Sequence, residues 1–100
     1  MFLGAYRFTG EPSDLLPGYE RLMAGMPAEA ISLHVCVVEE DAIVVFDACP
    51  TREVFLEFSG GPAFAAAVAA AGLPEPSVEA LGTVHAARLG DTTAAREAGR

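Results

Sequence analysis

One hundred residues make one domain with a thin core, and a 52% apolar share is high for so small a chain, so part of that surface is expected to be buried between subunits. The 14 acids against 6 bases give a net charge of −8, which disfavours nucleic acid and anionic membrane surfaces, since both demand basic patches. The longest apolar run, Ala63 to Leu73, falls far short of the roughly 20 residues of a membrane span. The opening stretch "MFLGAYRF" has no basic leader or small-residue cleavage site, so a soluble, cytoplasmic protein is expected.

Phe2–Phe8 is apolar and aromatic and predicts a first strand. Thr9 to Pro12 is a turn. Ser13 can cap a helix that begins at Asp14, with Leu15, Tyr19, Leu22, Met23 and Met26 as its apolar stripe. Pro17 and Gly18 weaken its first turn, and Gly25 and Pro27 mark its end. Ile31–Val38 predicts the second strand, Glu39–Asp41 a turn, and Ala42–Cys49 the third strand. Pro50 stops that strand and Thr51 caps a second helix with Val54, Phe55 and Phe58 on its apolar side. "SGGP" at Ser59–Pro62 interrupts this helix, and Pro62 suits the first turn of its continuation through Phe64, Val68 and Ala71 to Gly72. "LPEP" is a linker, and Ser77–Ala87 predicts the last strand. The domain thus covers residues 1–89, and residues 90–100, without a large apolar side chain, form a loose tail.

The order β-α-β-β-α-β indicates an α+β, ferredoxin-like sandwich: a four-stranded antiparallel sheet with two helices on one face. Alternation along the strands separates an aliphatic set, which suits the helices, from a polar set. The polar set gathers Arg7, Ser32, His34, Cys36, Asp47, Cys49, Thr83 and His85, and is expected on the open face. A two-residue turn at Glu40-Asp41 would pair Glu39 with Ala42 and place His34 opposite Asp47, with Cβ atoms about 5 Å apart. A three-residue loop bulged at Ala42 would shift the register and separate them. The first register is preferred because it segregates polar from apolar residues. It also puts Cys36 and Cys49 about 13 Å apart along the strands, too far for a disulfide.

The pattern resembles the dimeric α+β barrel superfamily, the antibiotic-biosynthesis-monooxygenase-like small proteins, over Met1 to about Leu89. "TREVFLEFSGGPAFAAAVAAAGL", Thr51–Leu73, carries most of the likeness: an amphipathic helix with an F-x-x-F-S step, a break and a short continuation. The resemblance implies that two sheets pack face to face across a twofold, making a homodimer with pockets inside the barrel or between sheet and helices. Its members include cofactor-independent monooxygenases, polyketide cyclases, lactone isomerases and heme-degrading enzymes. The heme-degrading members use an Asn, a Trp and a helical His. This chain has no Trp or Asn, and both histidines fall on predicted strands, so heme chemistry is not expected. Cyclase-like members surround a polyketide with strand histidines and tyrosines, which His34, His85 and Tyr6 match by type.

The expected catalytic residues are therefore His34 as general base, Asp47 as the acid that orients it, and His85 as a second acid–base group. Arg7 and Tyr6 are the expected substrate-binding residues, with Arg7 holding a carboxylate or enolate unless an ion pair with Asp47 or Glu79 occupies it. Tyr19, like Tyr6, otherwise suits a core position with a wet hydroxyl. Two His, an Asp and a Cys could hold zinc, but their spacing matches no ligand motif, so no metal, heme or flavin is expected. Two functions follow. One is a cofactor-independent cyclase, isomerase or monooxygenase acting on a small apolar enolisable molecule, a polyketide or aromatic ketone. The other is a non-catalytic dimeric ligand-binding or scaffold protein.

Overall fold

The computed structural model describes residues 1–26 and 32–90. Its elements are β1 (Phe2–Thr9), α1 (Pro12–Ala24), β2 (Leu33–Val38), β3 (Ala42–Cys49), α2 (Arg52–Ser59), α3 (Pro62–Ala70) and β4 (Ser77–Thr83). The four strands form one antiparallel sheet in the order β2-β3-β1-β4. This is the ferredoxin-like order expected of β-α-β-β-α-β connectivity. The second helical region is two helices, because Gly60-Gly61 ends α2 and Pro62 opens α3 at its first position. Thr51 caps α2 as its sequence position suggests: its hydroxyl accepts the Val54 N–H at 3.1 Å.

Several elements start or stop away from the sequence-based bounds: β1 runs on to Thr9, β2 starts at Leu33, and α1 and β4 also differ. Helix α1 begins at Pro12, with Glu11 at the N-cap position, rather than at Asp14. Strand β4 stops at Thr83 rather than Ala87. Thr83 pairs with Phe2, and the Val84 N–H then bonds the Met1 carbonyl at 2.8 Å. Ile31 and the expected tail from residue 91 onward lie outside the described residues.

The hairpin takes the unbulged register. Val38 faces Ile43, Cys36 faces Val45 and His34 faces Asp47. Glu-Asp is poor type I′ material, and both residues keep negative φ, so the turn is of another kind. It is held from outside instead. The Gly10 N–H donates to the Asp41 carbonyl at 2.9 Å, and Arg7 Nη2 lies 2.5 Å from Glu39 Oε1.

The face assignment agrees with the expectation in β1, where Phe2, Tyr6 and Phe8 meet the helices and Arg7 faces outward, and is reversed in β2 and β3. Between β1 and β3, Phe2 pairs with Cys49, Gly4 with Asp47, Tyr6 with Val45 and Phe8 with Ile43. Directly opposed residues share a face. Phe2, Tyr6 and Phe8 are buried with Leu15 of α1, Phe55 of α2, and Phe64 and Val68 of α3. His34, Cys36, Asp47 and Cys49 therefore lie beneath the helices, not on the open face. The aliphatic sets of β2 and β3 point outward, leaving Val35, Val37 and Leu81 exposed around half-buried Phe46. Both faces of this sheet are apolar enough to be covered, so alternation alone could not say which one the helices take. Gly4 illustrates the packing on the helix side. A Cβ there would fall 2.0 Å from the Phe55 ring, so only glycine lets that fully buried ring lie on the sheet.

Candidate functional site

His34 lies on β2, an edge strand, and Asp47 on its neighbour β3. Their opposed positions bring His34 Nδ1 to 2.6 Å from Asp47 Oδ1. Asp47 is 5% exposed, whereas the His34 side chain retains 22% exposure at the sheet edge. The other ring nitrogen meets a residue from the helical layer: Tyr19 Oη on α1 lies 2.5 Å from His34 Nε2. The two rings are parallel to within 10°, with centroids 5.7 Å apart.

An ionised carboxylate only accepts, so Asp47 requires a proton on Nδ1. In the neutral imidazole, Nε2 is then an acceptor, and the Tyr19 O–H donates to it. Asp47, His34 and Tyr19 thus form one hydrogen-bonded chain from the buried sheet to the half-buried helix. Burial pushes the Tyr19 phenol well above its usual range, and the neighbouring Cys36, Glu20 and Asp47 act in the same direction. Tyr19 is therefore a proton donor in its resting state.

Tyr6 on β1 faces the same space. A small, partly open cavity of about 20 Å³ is lined by Tyr6, Tyr19, His34 and Asp47, and bordered by apolar side chains that include Leu22 and Met23 of α1 and Met26 just beyond its end. Tyr6 is 2% exposed, and among the described residues its hydroxyl is the one buried side-chain polar atom without a hydrogen-bond partner. Burial raises its phenol most, followed by Asp47 and Cys49. Both thiols are free; burial raises each of them, with the Tyr19 hydroxyl opposing the effect at Cys36 and Asp47 adding to it at Cys49.

Two of the expected site residues are elsewhere. Arg7 is on the outer face, where it pairs with Glu39 and lies 3.9 Å from Asp41, so neither Asp47 nor Glu79 is its partner. His85 is exposed beyond the end of β4, on the edge of the sheet opposite β2. The expected grouping of His34, Asp47, Arg7 and His85 is therefore not assembled within this chain, nor is the two-histidine zinc set. Tyr19 is the residue that sequence reasoning passed over. Its place on the apolar stripe of the first helix marked it as inward-facing, but nothing in the linear sequence tied it to His34.

Among solved structures, that of Rv0793 from Mycobacterium tuberculosis matches with a TM-score of 0.63 at 20% identity, over 87% of this chain and 98% of that one. At this identity the likeness establishes the small α+β fold. No protein-family model and no curated protein matches the chain.

Proposed function

We propose that this protein is a cofactor-independent acid–base enzyme that moves a proton on a small, apolar, enolisable molecule such as a polyketide or aromatic ketone. The observation that carries this reading is the Asp47–His34–Tyr19 chain, with 2.6 Å and 2.5 Å contacts, at a mostly apolar cavity near a sheet edge. Asp47 orients His34 and stabilises its imidazolium. His34 is the base, acting through the Tyr19 hydroxyl, which gives its proton to Nε2 as it takes one from the substrate. The same pair returns the proton after cyclisation or isomerisation of the enolate. The exposed valines of the outer sheet face support a second copy of the chain as its cover, in the manner of the dimeric α+β barrel proteins.

The test is solvent exchange. Acetophenone and related aryl ketones in deuterium oxide, followed by proton NMR, should exchange their α-protons faster with the protein than with His34→Ala. General acid–base help is worth about 10²-fold or more. Equal rates with the two proteins across the ketone series would sink the catalytic reading. They would favour the ligand-binding or scaffold alternative, of which the small size of the cavity suits the scaffold. Sedimentation equilibrium tests the dimer separately.

A further inference from the structure

We propose that the cavity under α1 is a binding site for one neutral carbonyl oxygen, with the Tyr6 hydroxyl as its hydrogen-bond donor. The class of ligand rests on the functional reading above; the site itself does not depend on any reaction. Buried hydroxyls in folded proteins are nearly always paired. Tyr6 is 2% exposed, its hydroxyl has no protein partner among the described residues, and it borders the cavity shared by Tyr19, His34 and Asp47. The other polar groups there are engaged with each other: Asp47 accepts from His34, and His34 accepts from Tyr19. Tyr6 is thus the donor left for a guest.

The surroundings select the guest. The cavity, about 20 Å³, is the size of a single oxygen-bearing group rather than a whole ring. The Asp47 carboxylate beside it repels a carboxylate or phosphate. Burial keeps Tyr6 protonated, so it recognises an acceptor rather than a cation. Those facts favour a neutral C=O. The apolar body of the ligand would enter on the α1 side. There Met23 and Met26 are unbranched and change rotamer readily, so they can yield to it. A carbonyl oxygen seated on Tyr6 puts the adjacent carbon on the side of Tyr19 and His34, and polarises its C–H bonds for the base.

The experiment uses acetophenone as the probe and the infrared carbonyl stretch as the readout. Bound to the intact protein, the band should move to lower frequency. In Tyr6→Phe the displacement should vanish and binding should weaken by about tenfold, the worth of one neutral hydrogen bond. In His34→Ala the displaced band should persist even though exchange is lost, which separates this proposal from the catalytic one. An unchanged band in Tyr6→Phe, or no displaced band at saturating acetophenone in the intact protein, overturns it. If Tyr6→Phe does not fold, fluorotyrosine incorporation replaces it. The chain has 2 tyrosines, so Tyr19→Phe assigns the two fluorine signals. Acetophenone should shift the Tyr6 signal, and a shift confined to the Tyr19 signal overturns the assignment.

Discussion

Removing Asp47 tests whether His34 is held as the geometry implies. In Asp47→Ala the imidazole loses the acceptor at 2.6 Å, and its Nδ1–H is left facing a strand position that was 5% exposed. An orphaned buried donor costs about 1–3 kcal/mol, and the space left by the side chain adds to it, so a loss of about 3 kcal/mol is expected. Asp47→Asn keeps an acceptor in place and gives up only the charge, at about 1 kcal/mol. Tyr19→Phe removes the other anchor but keeps the stacked ring. His34 is 22% exposed, so water can replace the phenol, and about 1 kcal/mol is again expected. Both anchors act through one imidazole. The double variant Tyr19→Phe/Asp47→Ala should therefore cost less than the sum of the singles, by about 0.5–1 kcal/mol. Urea unfolding at constant m-value reads all four proteins. Strict additivity, or an Asp47→Ala loss below about 0.5 kcal/mol, would show that His34 does not bridge the two and would remove the basis for the relay.

The tyrosines should make the fold sensitive to alkali. Both folded pKa values are raised, so the stabilisation they give is complete below the unfolded value near 10 and is lost as pH rises toward the folded values. For buried Tyr6 the slope is about −1.4 kcal/mol per pH unit in that window, and an ultraviolet phenolate titration that rises only with unfolding would match it. A phenolate signal near pH 10 from the folded protein would contradict it. Gly4→Ala should destabilise by about 3 kcal/mol or more, because the new Cβ meets the rigid Phe55 ring; a thermal melt within a degree of the parent would show that β1 and α2 pack differently. Cys36 and Cys49 should react slowly with an aromatic disulfide at pH 8 and fully in urea, since burial raises both thiols. Immediate reaction of two thiols in the folded protein would place them at the surface.

The sequence by itself determined the element order, because local signals wrote it: Thr51 as a cap, Gly60-Gly61-Pro62 as a break, and alternating apolar strands around a short hairpin. It also favoured the register that sets His34 opposite Asp47, by counting back from a two-residue turn, but left the bulged register open until the structure chose between them. Only the tertiary structure decided which side of the sheet those residues occupy. Period-two alternation sorts residues into two sets without saying which set faces the helices, and here both sets are largely apolar. The pairing of β1 with β3, which joins strands distant in sequence, put Asp47 opposite Gly4 and on the face of Tyr6. The same long-range packing brought Tyr19 onto His34 and paired Arg7 with Glu39, while β4 ended at Thr83, before His85. No local propensity encodes such contacts; they exist only once helices and strands are stacked.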